Sequence, residues 1–130
     1  MNKYVKRAEQ FRNDPSVHYN CAQAVLVAYA AECGISEGKA FQMGEHFGGG
    51  MRMAATCGAI TGGLMVLGML GGTEDQRRAF IAAMQDNHEK MTDCADLLKK
   101  NTQQGGTRKE HCDSMVYEAV ENVAKVMGLE

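Results

Sequence analysis

Residues 57–70 read CGAITGGLMVLGML, from Cys57 to Leu70, and this stretch decides the fold class. It is apolar on every side, has no strand-like alternation, and follows Thr56, a helix-capping residue type, so it reads as a buried helix. Gly58, Gly62 and Gly63 each cost about 1 kcal/mol relative to Ala in a helix. A chain tolerates that where backbones must come close. Gly62 and Gly63, in line with Ala55 and Ala59, read as small-residue helix packing. Gly58, beside a sulfur, reads as backbone wall for whatever binds at Cys57.

Working outward, the rest is helical too. Alanine is abundant, β-branched residues are sparse, and Pro15 is the only proline. The spacing of Val5, Ala8 and Phe11 predicts a helix from about Lys3 to Asn13, ended by Asp14-Pro15-Ser16. Asn20 caps a second helix, CAQAVLVAYAAEC, running to Gly34. Ser36 starts a third that brings Phe41 and Phe47 to the core and breaks at Gly48-Gly49-Gly50. Thr73 and Gln76 form a capping box for a long amphipathic helix carrying Phe80, Ile81, Met84 and His88. Thr92-Asp93 restarts the chain into CADLLKK, residues 101–108 form a polar loop, and a closing helix covers Lys109 to Met127. The expectation is an all-α, compact single domain over residues 1–130, a bundle of six or seven helices.

With 45% apolar and 23% charged residues and a net charge of −2, the 130-residue chain has the composition of one globular domain. No basic stripe argues for nucleic acid. The N-terminal MNKYVKRAEQFRND lacks the apolar core of a signal peptide, and Ala59 to Leu70 is shorter than the ~20 residues of a membrane span, so a cytoplasmic protein that is not membrane-embedded is expected. In that compartment structural disulfides are rare, and five cysteines point to metal, cluster or redox chemistry.

Cys21, Cys57, Cys94 and Cys112 each fall near a predicted helix start, where unpaired N–H groups and the dipole favour thiolate. Cys33 lies at a predicted helix end, roughly 18 Å along a continuous helix from Cys21, and is left out of the site. No short-spaced zinc, haem or ferredoxin motif is present. Three chemistries fit a converging tetrad. These are an iron–sulfur cluster, [2Fe–2S] by its use of four cysteines; a closed zinc site; or metal-free thiols cycling through disulfides, with Cys57 as the attacking thiolate. Gly48, Gly49, Gly50 and Gly58 are the candidate cofactor wall, the first three as an anion-binding nest.

The motif Cys57-Gly58-Ala59-Ile60-Thr61-Gly62, with Asn20-Cys21-Ala22-Gln23-Ala24 and the Phe47–Met51 glycine run upstream and single cysteines at Cys94 and Cys112 downstream, resembles the bacterial C_GCAxxG_C_C family. The resemblance spans nearly the whole chain. It implies a helical redox-active or iron–sulfur protein, used in electron transfer or redox sensing, with an unassigned redox partner and frequent proximity to transporter genes. The charged segment Asn87–Asp93 departs from the family's pattern before Cys94. A zinc-stapled module serving a transporter is the non-redox alternative. A homodimer would shield a shallow centre, although no residue demands one.

His18 and His111, near Cys21 and Cys112, are candidate substitute ligands or proton shuttles, set against ordinary surface placement. His46 divides evenly between the cavity and its helix end, and His88 belongs to the edge of the long helix. Ten methionines at helical spacing read as core filler, with Met51 and Met53 the one pair near the approach to Cys57.

Overall fold

The computed structural model describes residues 2–129. It consists of α1 (Lys3–Arg12), α2 (Cys21–Ala28), α3 (Glu37–Gly44), α4 (Gly58–Met69), α5 (Glu74–Asp86), α6 (Cys94–Gln103) and α7 (Arg108–Met127), with a five-residue π-type segment, Gly50–Ala54, between α3 and α4. Counting that segment, there are eight helical pieces instead of the six or seven expected. The all-α reading holds, and the one β feature among the described residues is an isolated antiparallel bridge, Thr56 to Asp93. No helix among the described residues is long and apolar enough to cross a membrane.

The caps read at Asn20, Ser36 and Thr73 act as expected, and Thr107, inside the stretch read as a loop, supplies a further one. Asn20, Thr73 and Thr107 close full capping boxes with Gln23, Gln76 and Glu110, and Ser36 accepts from the Lys39 N–H. The core centres on α2, α4 and α7, where Val25, Leu26, Ile60, Val66, Val116, Val120 and Val123 are fully buried.

Two expectations fail locally. The second helix ends at Ala28, not Gly34, because Tyr29 is pinned: its ring stacks on Tyr4 at 4.4 Å and its hydroxyl donates to the Val120 carbonyl at 2.5 Å. Residues 29–34 continue as turns that end at Gly34, with φ of 73°. The glycine run does more than break α3. Gly49, Gly50, Met51, Arg52 and Ala54 all take left-handed backbone, with φ between 56° and 66°. For non-glycine residues this costs roughly 1–2 kcal/mol each. The turn is held by Ala55 N–H to the Gly50 carbonyl at 2.9 Å and Arg52 Nη2 to the Glu45 carbonyl at 2.9 Å.

The glycines of α4 separate by role. A Cβ on Gly63 would lie 2.4 Å from Phe80 Cζ, and one on Gly62 would lie 3.0 Å from the Ala22 carbonyl oxygen, so both serve packing. One on Gly58 would meet backbone of two elements, while one on Gly68 would meet nothing within 4 Å. Gly58→Ala should therefore destabilise the fold by about 1–3 kcal/mol. Gly68→Ala, in the same helix, should stabilise it by about 0.5–1 kcal/mol. Urea titrations followed by circular dichroism check both; equal effects at the two positions would remove the packing argument.

Candidate functional site

Three contacts assemble the site. At the first, Gly58 lets the start of α4 seat on the first turn of α2: its missing Cβ would be 2.9 Å from the Phe47 carbonyl oxygen, 3.2 Å from Ala22 N and 3.4 Å from Cys21 Cβ. Cys57 therefore stands beside Cys21. At the second, the Thr56–Asp93 bridge is closed by Cys57 N–H to the Thr92 carbonyl at 2.8 Å and Cys94 N–H to the Ala55 carbonyl at 2.7 Å. Its register makes Cys57 and Cys94 diagonal neighbours, each one residue beyond the bridge. At the third, Arg12 joins α1 to α7: Nε donates to Asp113 Oδ1 at 2.7 Å and Nη1 to the Tyr19 carbonyl at 2.8 Å, both guanidinium and carboxylate largely buried. That contact seats Cys112, next to Asp113, across from Cys21.

Cys21 and Cys112 are close enough for each to shift the other's ionisation, and each cysteine of the tetrad lies within the electrostatic reach of others in it. Cys21 neighbours Cys112 most closely and the bridge joins Cys57 to Cys94, while Cys57 also reaches Cys21 and Cys94 also reaches Cys112. Cys33 is half-buried and its thiol is raised by burial and by Glu32, with no partner in the tetrad. Among the described residues, no three His, Cys, Asp or Glu side chains stand close enough together to hold a metal ion.

Electrostatics reverse the helix-head expectation. Cys21 and Cys94 are the first residues of α2 and α6, and Cys57 occupies the N-cap of α4, the place expected of Thr56. All three thiols are raised. Cys21 is held protonated by its hydrogen bond to Cys112 and by burial, and burial raises Cys94. Burial also pushes Cys57 up to about 11 against the pull of the Ala59 and Ile60 N–H groups. Cys112, a full turn inside α7, is the exception: the hydrogen bond from Cys21, then Arg12 and Arg108, bring it down to about 6 against burial. A helix terminus contributes roughly 0.3–1 kcal/mol, whereas full burial moves a pKa by up to 3–5 units at about 1.4 kcal/mol each. Desolvation outweighs the helix ends at all three, and at Cys21 and Cys94 it also outweighs a nearby guanidinium. Of the four thiols, Cys112 is the one whose ionisation is favoured.

A cavity of about 860 Å³ opens in front of Cys21, Cys94 and Cys112, with Gly48 and Gly49 in its wall. Gly48 has a packing reason as well, since a Cβ there would sit 2.6 Å from Asn20 Cβ; Gly50 would strike the Ala55 backbone at 2.4 Å. Gly50 and Gly58 do not line the cavity. His18 lines it, while His46 is exposed beside Glu45. His88 lies past the end of α5 and bonds Glu118 at 2.7 Å, with half-buried His111 next to that pair. Met51 and Met53 face solvent. Arg12, Arg52 and Arg108 were not legible as site residues. Arg12 looked like one more position of the first helix, and nothing local marks its pairing with Asp113.

The fold and the site define an all-α protein built around a four-cysteine cluster. Residues 19–126 match the family described as "Putative redox-active protein (C_GCAxxG_C_C)", and the chain belongs to that family. No curated protein and no solved structure matches the chain.

Reduced, metal-free protein should be alkylated by iodoacetamide first at Cys112. The rate should rise as the thiolate forms through pH 6 and level off by about pH 8, while Cys57, with its thiol at about 11, stays unreactive across that range. Peptide mass mapping over a pH series reads both; a Cys112 profile that rises only above pH 8 would contradict the pairing with Cys21.

Proposed function

We propose that this redox-family chain works through its four-cysteine centre, and that Cys21, Cys57, Cys94 and Cys112 hold a [2Fe–2S] cluster for electron transfer or redox sensing. The observation that carries the reading is the two-plus-two arrangement: a thiol contact pairs Cys21 with Cys112, and a backbone bridge pairs Cys57 with Cys94. A disulfide needs two cysteines. A [2Fe–2S] core takes four, two at each iron.

In type and number the donors fit. Among the described residues no three of these side chains stand close enough to share a metal ion, so binding requires them to turn toward one another. When bound, such a cluster supplies one-electron transfer. The chain's own contributions are separate from that chemistry. Burial keeps bulk water from Cys57, the one sulfur of the four that does not line the cavity. Arg12 and Arg108, next to Cys112, lower the cost of gathering negative charge there. Asp113, fixed between Arg12 and Lys109, holds Arg12 in place.

A second reading has its own observation, the Cys21–Cys112 contact with Cys112 as thiolate. There Cys112 Sγ attacks one sulfur of a partner disulfide, forming a mixed disulfide and expelling the partner's other sulfur as thiolate. Cys21, after losing its proton to solvent, attacks Cys112 Sγ and releases the second partner thiolate. The partner disulfide is reduced by two electrons as Cys21–Cys112 is oxidised to a disulfide. Zinc held by the same four thiolates, in a module docked on a transporter, is the non-redox alternative.

Purification without air, followed by visible absorption and iron, zinc and sulfide analysis, separates these. The cluster reading expects about two iron and two sulfide per chain, lost on Cys57→Ser or Cys94→Ser and retained in Cys33→Ser. Colourless, metal-free protein that cycles between dithiol and disulfide would sink it in favour of the second. Stoichiometric zinc without redox response would sink both.

A further inference from the structure

The cavity is larger than the sulfurs need. At about 860 Å³ it is the size of a small-molecule site, and the cysteines form only part of its lining. Its charge runs against the molecule's. The chain carries −2 overall, yet Arg12, Arg52, Arg108 and Lys109 line the cavity against one carboxylate, Glu45.

Two of those cations are already matched. Arg12 and Lys109 bind Asp113 at 2.7 and 2.8 Å. Arg52 and Arg108 differ: among the described residues neither has a carboxylate within ion-pair distance. Arg52 is held by a neutral acceptor, the Glu45 carbonyl, and it keeps left-handed backbone at φ 59° to stand where it does. Arg108 opens α7 beside Cys112, and its Nη2 lies 3.9 Å from where a Cβ on Gly49 would be. Glycine at that position leaves the guanidinium uncovered. Arg108 has the Cys112 sulfur as a charged neighbour. Two guanidinium forks free of carboxylates in the lining of one cavity are the geometry that receives planar or tetrahedral oxyanions by paired N–H donors.

We infer that this cavity binds a small molecule carrying an oxyanion group, carboxylate or phosphate, held by Arg52 and Arg108 in front of the cysteine centre. The inference rests on the redox reading in one respect only: it names the chemical class of that centre's reaction partner. Binding itself needs no cluster, because Cys57, the deepest sulfur, does not line the cavity.

Isothermal titration calorimetry with inorganic phosphate and with succinate, using glycerol as the neutral control, tests it on the as-purified chain and on Cys57→Ser. Saturable binding of at least one anion, weakened by added potassium chloride and absent for glycerol, is expected. Arg52→Gln and Arg108→Gln should each weaken it about tenfold, the loss of one charge-assisted interaction. Arg78→Gln, on the exposed face of α5, should leave it unchanged. Thermal melts establish that the variants fold, and Arg108→Lys should restore only part of the affinity because it keeps charge without the fork. The stronger of the two anions assigns the oxyanion type. No saturable binding, or binding equally affected by Arg78→Gln, overturns the inference. Anion binding in a chain that never holds iron would leave the cavity assignment standing and remove the cluster; a cluster without anion binding would do the reverse.

Discussion

The structure depends on how closely α4 approaches α2. Gly58 and Gly62 lie against the backbone of Ala22, with no room for a methyl group at the first and little at the second. This contact sits at the N-terminal ends of both helices, so the residues it brings together are the ones at those ends: Cys21 and Cys57. The glycine beside the sulfur, read from the sequence as a wall for a cofactor, does its work one step earlier. It places the second sulfur near the first, and its penalty as a helix residue, about 1 kcal/mol, is offset by buried packing between two of the most apolar helices of the chain.

The remaining sulfurs arrive by different means, and that difference governs their chemistry. Cys94 is delivered by two backbone hydrogen bonds across the Thr56–Asp93 bridge, which bring no charge with them. Cys112 is delivered by the Arg12–Asp113 ion pair, which does. Cys94 has Arg108 near it and Cys21 has Arg12, yet burial keeps the first raised, and burial with the Cys112 contact the second; Cys112 alone adds the lowering contact with Cys21 to the pull of two guanidinium groups. The same four residue types therefore divide into three protonated thiols and one thiolate. Helix termini, common to three of the four, do not decide it.

Much of this was readable because it is local. Caps at Asn20, Ser36 and Thr73 need only four consecutive residues, and the apolar faces of α5 and α7 need only helical periodicity. Cys33 has burial and Glu32, not a tetrad sulfur, acting on its thiol, and α2 ends before reaching it. What could not be read was whatever depends on a distant partner. Tyr29 stops α2 through contacts with Tyr4 and Val120, where propensity alone would carry the helix onward. Arg12 meets Asp113 across 101 positions of sequence. The left-handed conformation of Met51 and Arg52 contradicts every local preference of those side chains, and only the surrounding contacts impose it.

That last violation bears on function. A turn with three non-glycine residues in left-handed backbone is destabilised by several kcal/mol at roughly 1–2 each, and a simple connection between α3 and α4 would not need it. Its two ends explain the cost. Before it, the Phe47 carbonyl packs against Gly58; after it, Ala55 accepts from Cys94. The turn therefore links the two contacts that position Cys57 and Cys94, and it brings Arg52 into the lining of the cavity as it does so. Strain, sulfur placement and cavity charge are consequences of one short segment. Lengthening it would relieve the first only by loosening the other two.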